Sequence, residues 1–239
     1  MRIHGRGSFY ARAAAFPRSN MDPKEMKRVR LVKRIAQEFP DGALVNLGIG
    51  MPTMVANYIP QGRTILLHSE NGFIGLGAHA EKGKEDPRLV NAGGQPVTIV
   101  PGGCYFDSAM SFAIIRGGHV DYTVLGALEV DMEGNLANYM IPGKMVPGMG
   151  GAMDLVVGAK NVIVAMEHVN KNGAPKILKK CALPLTAKGE VDLIVTDMAF
   201  IRVTKKGLVL EEIAEDTTVE EVLKATEAPM HVAGKIGRF

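Results

Sequence analysis

The 239-residue sequence predicts an α/β fold: one domain with a mainly parallel central sheet flanked by helices. Three observations predict it. Short apolar runs of strand length recur at 43–47, 64–67, 97–100, 120–125, 161–166 and 191–195. Segments with helical spacing or helix-capping residues alternate with them. Glycine-rich loops follow three of the strands, as expected where the carboxyl ends of parallel strands face a ligand.

Asp22-Pro23 opens the first helix, with aspartate at the N-cap and proline at the first helical position. Met26, Val29, Val32, Ala36 and Phe39 give it one apolar face. After the turn at Asp41-Gly42, residues 43–47 read as a buried strand that ends in Gly48-Ile49-Gly50-Met51-Pro52. Thr53 is expected to cap a short helix through Tyr58. The strand at 64–67 runs into His68-Ser69-Glu70-Asn71-Gly72, and the strand at 97–100 into Pro101-Gly102-Gly103. Asp107-Ser108 caps a helix through Ile115, and 120–125 is the next strand. Glu133-Gly134-Asn135 is a turn, and a long glycine loop spans 142–151. Residues 161–166 and 191–195 are strands, and 174–181 is expected to be helical. Lys205-Lys206-Gly207 turns a hairpin. Thr217 or Thr218 caps the last helix, through about Lys224.

Hydrophobic residues make up 46% and charged residues 22%, enough to bury a sizeable core. No apolar run reaches the ~18 residues of a membrane-spanning helix. The net charge of +3 is set by the amino-terminal head: ten of 28 basic residues lie in residues 1–34, beside two acids. No basic stripe runs through the acidic body, so neither nucleic acid nor membrane is expected as a partner. Residues 1–20 hold four arginines and no acid. They are expected to be a non-structural extension, with an organelle transit peptide as the sharper alternative, and residues 21–239 form the domain. Cys104 and Cys181 lie far apart and form no disulfide framework, so the cytoplasm is the simplest compartment. The histidines show no metal-ligand spacing. Both thiols are expected to be buried.

Glu70 follows a buried strand in a tight turn, with Gly72 two positions on. A carboxylate held there can serve as nucleophile or general base, or can simply satisfy the turn amides. Gly48-Ile49-Gly50 lacks the third glycine of GxGxxG, and no GxxxxGK[ST] occurs, so a nucleotide fingerprint is absent.

The run LHSENGFIG at 67–75 resembles the glutamate signature of the class I coenzyme A transferases, specifically the B (beta) subunit of the 3-oxoacid and acetate (butyrate)–acetoacetate group. Five further segments agree in order: VNLGIGMPT at 45–53, NAGGQPVT at 91–98, FDSAMSFAIIRGGHVD at 106–121, IPGKMVPGMGGAMDLV at 141–156 and KCALPLTA at 180–187. So does MEH at 166–168.

That resemblance implies the coenzyme A transferase (NagB/RpiA-like) fold and a ping-pong reaction through a glutamyl-CoA thioester on Glu70. Glutamate suits the task, since a free glutamate side chain ionises near ~4.3 without help from a base. It implies Gly151, then Gly150, as backbone oxyanion donors, and Asn71 as a residue that orients the carboxylate or touches substrate. Gly48, Gly50, Gly93 and Lys144 are the implied contacts to coenzyme A, which is a substrate; no permanently bound cofactor and no metal are required. Phe73, Ile74, Met149 and Met153 are candidates for excluding water. Arg116 and His68 read more simply as structural residues, the arginine on the last turn of its helix.

The resemblance also implies a separate A chain as partner, commonly in an A2B2 heterotetramer, with acyl-CoA and carboxylic acid as substrates. The segments at 91–97, 106–113 and 127–138 look closer to the acetate and butyrate–acetoacetate enzymes than to the succinyl-CoA:3-oxoacid ones, which are the alternative. Tyr139 stands where relatives mostly carry tryptophan. A CoA-ester hydrolase and a sugar-phosphate isomerase are rivals on the same scaffold.

Overall fold

A computed structural model describes residues 21–146 and 148–239. The elements are α1 (Pro23–Ala36), β1 (Leu44–Leu47), a 3-10 helix (Met51–Tyr58), β2 (Leu66–Ser69), β3 (Phe73–His79), β4 (Val97–Tyr105), α2 (Ser108–Arg116), β5 (Tyr122–Leu125), β6 (Glu129–Asp131) and β7 (Leu136–Ala137). They continue with α3 (Ala152–Gly158), β8 (Val162–Met166), β9 (Ile177–Leu178), β10 (Leu193–Thr196), β11 (Ala199–Thr204), β12 (Gly207–Ile213), α4 (Val219–Lys224) and β13 (Met230–Arg238).

The main sheet has the order β13-β12-β11-β10-β8-β5-β1-β2-β3-β4. Its centre, β10-β8-β5-β1-β2, is entirely parallel. The hairpin pairs β2–β3–β4 and β10–β11–β12 extend it antiparallel on either side. β6, β7 and β9 form a small second sheet. From β1 the chain steps to β2 on one side, then crosses to β5 on the other. That reversal makes the carboxyl ends of β1, β2 and β5 the place where a crevice opens.

Local chemistry explains the element boundaries. Asp22 accepts from the Glu25 amide at 2.8 Å, Asp107 from the Met110 amide at 2.8 Å, and Thr218 forms a reciprocal capping box with Glu221. One core lies between the sheet and α1, where Leu31, Val32, Ile35 and Phe39 meet Val45, Val124, Ile163 and Phe200. The other lies against α2, α3 and α4 and includes Ile115, Leu155, Val156, Val162, Val164 and Val222. Burying each of the larger side chains stabilises the fold by ~1.5–3 kcal/mol. Arg34 joins α1 to the sheet: it makes paired bonds of 2.8 and 2.7 Å to Glu212 and lies 4.1 Å over the Phe200 ring.

Several expectations are corrected. Residues 174–181 form no helix; Ile177 is wholly buried, and its strand pairs with β6. Its carbonyl accepts from the Glu227 and Ala228 amides, so tertiary hydrogen bonds displace the helical ones. Thr53 lies inside the 3-10 helix, whose N-cap is Gly50. The strand at 97 continues through Pro101-Gly102-Gly103 to Tyr105, because Gly75 and Gly103 let β3 and β4 cross closely: a Cβ on Gly75 would stand 2.7 Å from the Gly103 Cα. β3 and β13 are additional strands. Cys104 is exposed rather than buried; Cys181 is half-buried, and burial pushes its thiol up to about 12. The expectations for residues 1–20 lie outside the described residues.

Candidate active site

Glu70 stands immediately beyond β2, where the chain turns back into β3. Gly72 makes that turn possible. Its φ is +132°, and its carbonyl accepts from the Phe106 amide at 2.9 Å. A Cβ there would collide with the Phe106 carbonyl. The turn is therefore clamped against the segment that leads into α2.

Parallel pairing places Asn46 of β1 beside His68 of β2 and Thr123 of β5. All three are buried. Asn46 Nδ2 donates to Glu70 Oε2 at 3.0 Å and also faces His68 Nδ1 at 3.2 Å and the His68 carbonyl at 3.3 Å. His68 Nε2 meets Ser111 Oγ of α2 at 3.0 Å. Burial lowers the His68 imidazole to about 4, so it is neutral at physiological pH. Asn46 and Ser111 do not stand out in the sequence as site residues. The signal that could have found Asn46 is a polar residue in the otherwise apolar run 43–47.

The second wall of the site is the glycine loop before α3. A methyl built on Gly151 would lie 3.5 Å from Glu70 Cγ, 3.7 Å from Oε1 and 3.4 Å from Phe112 Cζ. Backbone thus approaches Oε1 on one side while Asn46 holds Oε2 on the other. Gly150 has φ +53° and open space at its Cβ position. Among the described residues, neither the Gly150 nor the Gly151 amide donates a backbone hydrogen bond.

The Asn71 side chain bonds partners other than Glu70. Its Oδ1 accepts from Ser69 Oγ at 2.7 Å and its Nδ2 donates to the Val90 carbonyl at 2.8 Å. Ser69 Oγ in turn accepts from the Ala92 amide at 3.1 Å. The two neighbours of Glu70 therefore pin the turn at 91–95, in which Asn91 Oδ1 accepts from the Gly93 and Gln95 amides. Gly93 lies against Ile49, with its Cβ position 3.7 Å from Ile49 Cγ1. Gly50 has φ +90° and faces open space. Gly48 serves close strand packing: a Cβ there would stand 3.0 Å from the Val124 carbonyl oxygen. Lys144 is exposed in a turn closed by the Ile141–Met145 bridge, and its amine makes no ion pair among the described residues.

Among the water-excluding candidates, Phe73 is buried on β3, Ile74 and Met149 are half-buried, and Met153 is exposed on α3. Arg116 bridges to Asp154 at 2.6 Å and covers Phe112, tying α2 to α3. His168 is buried between Thr196 and Thr226, at 2.8 and 2.9 Å. Glu167 pairs with Arg28 and Lys24.

The site is open on this chain. Ile49 and Val146 are 73% and 67% exposed. Two clefts of about 370 and 740 Å³ lie along α1 and the end of β13 and include no residue of the Glu70 loops. No group of three or more His, Cys, Asp or Glu suited to a metal occurs among the described residues, and no described helix is long and apolar enough to cross a membrane.

Comparison with known proteins fits this arrangement. The beta subunit of acetate CoA-transferase from Escherichia coli K12 is 54% identical over 220 residues, covering 90% of this chain and 97% of that one. The B subunit of a probable succinyl-CoA:3-ketoacid coenzyme A transferase from Bacillus subtilis is 53% identical over 209 residues, covering 87% and 97%. An acyl-CoA transferase apoenzyme from E. coli O157:H7 superposes with a TM-score of 0.70 at 20% identity; the match covers 89% of this chain and 43% of that longer chain, and it bears on the fold alone. The coenzyme A transferase family model matches residues 28–225, and with relatives of this identity over nearly its whole length, the chain belongs to the coenzyme A transferase family.

Proposed function

We propose that this chain is the glutamate-bearing subunit of a transferase that moves coenzyme A between a short-chain acyl-CoA and a carboxylic acid, with Glu70 as the nucleophile. Transfer of coenzyme A between acyl-CoA and acid is the activity of its family. The observation that carries the residue assignment is the unequal holding of the two Glu70 oxygens: Oε2 bound by Asn46, Oε1 beside Gly151.

That inequality fits the chemistry. Glu70 Oε1 attacks the thioester carbonyl, and coenzyme A leaves as the thiolate, giving a mixed anhydride. The thiolate then attacks Glu70 Cδ. Negative charge gathers on Oε2, where the Asn46 N–H already points, until the Cδ–Oε1 bond breaks. The first acid departs with Oε1, and a glutamyl-CoA thioester remains. A second carboxylate reverses the steps. Fixed donors at each developing oxyanion are typically worth ~3–4 kcal/mol apiece. The Gly151 amide fits that role on the acyl side, as the approach of its backbone to Glu70 supports, with Gly150 as the second candidate. Gly50 and Gly93 flank the entry with Ile49, and Lys144 remains a candidate contact for coenzyme A or a substrate carboxylate.

The open wall of the site supports a partner. Both relatives described above are single subunits of larger transferases, one beta and one B. We assign the missing wall to an A-type partner chain, in an A2B2 complex, with the cytoplasm as compartment. Acetate or butyrate with acetoacetate is the preferred acid pair; succinyl-CoA:3-oxoacid transfer is the second reading, favoured by the B. subtilis relative.

The test is to incubate the complex with acetoacetyl-CoA without acceptor acid, treat it with borohydride or hydroxylamine, and map the modified peptide. Modification confined to Glu70, and loss of transfer in a folded Glu70→Ala complex, are expected. An unmodified Glu70 while product forms overturns the assignment. Coenzyme A released at a steady rate without acceptor identifies a hydrolase instead.

A further inference from the structure

Glu70 is positioned by one amide hydrogen of Asn46, and that amide is itself held by His68. We propose that His68 and Ser111 are positioning residues for the nucleophile, acting through Asn46: Ser111 accepts the proton on His68 Nε2, and the bare Nδ1 that this leaves holds the Asn46 amide nitrogen towards Glu70. The inference rests on Glu70 as the nucleophile.

Asn46 Nδ2 can only donate, and it faces two fixed acceptors, Glu70 Oε2 and the His68 carbonyl, with His68 Nδ1 as a third neighbour. Turning the amide over would set its oxygen against a carboxylate and a carbonyl, so Nδ2 must stand there. His68 Nδ1 must then offer its lone pair. A neutral imidazole with a bare Nδ1 carries its proton on Nε2, where Ser111 Oγ accepts it at 3.0 Å. With the proton on Nδ1 instead, two donors would face each other 3.2 Å apart, and Asn46 would have to withdraw from Glu70.

The surroundings keep this arrangement rigid. His68 is 2% exposed and Ser111 wholly buried. The imidazole lies nearly parallel to the Phe106 ring, 14° off, with centroids 6.2 Å apart. Phe106 is the residue whose amide clamps the Gly72 carbonyl. Burial also keeps the ring neutral, since it lowers the group to about 4. One packed unit therefore fixes both the turn that carries Glu70 and the amide that binds its oxygen.

The test compares His68→Asn, His68→Gln and Ser111→Ala in the assembled complex. An asparagine carboxamide oxygen reaches the place of Nδ1 and can still accept from Asn46. A glutamine carboxamide reaches the place of Nε2 and cannot. His68→Asn should keep kcat within about tenfold of the parent, whereas His68→Gln should lose about 100-fold, the usual effect of misplacing a reacting group by about 1 Å. KM for acyl-CoA should change by less than about threefold, since the effect falls on the chemical step. Ser111→Ala should lower kcat about tenfold with KM likewise held, being one step further from the nucleophile. Equal losses in the two His68 variants, or a loss carried by KM, would overturn the proposal.

If the His68 variants do not fold, the 15N signals of the His68 ring in the parent complex decide. A protonated Nε2 supports the proposal, and a protonated Nδ1 overturns it. Retained transfer in Glu70→Ala removes the nucleophile and this inference together. An inactive Glu70→Ala beside a fully active His68→Gln removes only the inference.

Discussion

Asn46 Nδ2 lies 3.0 Å from Glu70 Oε2, although the two residues are 24 positions apart. Parallel pairing of β1 with β2 brings them together. The bond leaves Oε1 as the unencumbered oxygen, beside the backbone of Gly151. It divides one symmetric carboxylate into an attacking atom and an atom that receives charge.

Asn46→Ala should lower kcat about 10²–10³-fold with little change in KM, as loss of an oxyanion donor does. Asn46→Asp gives a sharper reading. Two carboxylates at this distance cannot both ionise cheaply, so the pair should share a proton. A shared proton can bond Oε2 as the amide did, so activity of the variant should rise as pH falls, and that of the parent should not. Parallel pH profiles for the two would contradict a bond from Asn46 to Glu70.

Gly151→Ala should separate stability from activity. The φ of Gly151 is −82°, which any residue adopts, and its Cβ would meet ordinary van der Waals neighbours at 3.4–3.7 Å. The unfolded chain loses freedom, so stability should hold or rise by up to ~1 kcal/mol. The methyl occupies the space beside Oε1 where the acyl group must arrive, so kcat/KM should fall at least about tenfold. Thermal melts and steady-state kinetics on the same preparation check this. A variant that melts early, or one that turns over normally, would contradict the placement.

Two buried histidines predict the pH dependence of stability. Burial lowers both His68 and His168 to about 4, below the ~6.5 of an unfolded histidine. Their stabilising preference is complete above pH ~6.5 and is lost as pH falls towards about 4, because the unfolded chain binds the protons first. The loss is on the order of 3 kcal/mol per residue across that window. Urea midpoints at neutral pH and at two mildly acidic values should decline accordingly, and His168→Gln should flatten the slope. A midpoint constant through the window would show that these rings titrate normally. Transfer by the folded complex should show no histidine limb between pH 6 and 7.

Much of the scaffold was legible in the sequence because its signals are local. Asp22, Asp107 and Thr218 cap their helices through bonds to amides three residues on. The hairpin turn at 205–207 likewise joins antiparallel strands. The helix expected at 174–181 failed because its backbone bonds go to residues far away, Val130, Glu227 and Ala228. Glu70 could be chosen from its motif, and the family match agrees with the resemblance that motif carried. Asn71, adjacent in sequence, spends its side chain on Ser69 and the Val90 carbonyl, which no local pattern foretold.

By itself the sequence determined the α/β class, the caps at Asp22, Asp107 and Thr218 and the glutamate at the end of a buried strand, because periodicity, capping and turn chemistry act over a few residues. Tertiary structure alone decided which oxygen of Glu70 is held, through Asn46, His68 and Ser111 brought from β1, β2 and α2. Those partners lie on separate elements, and only strand register and helix packing set the distances between them.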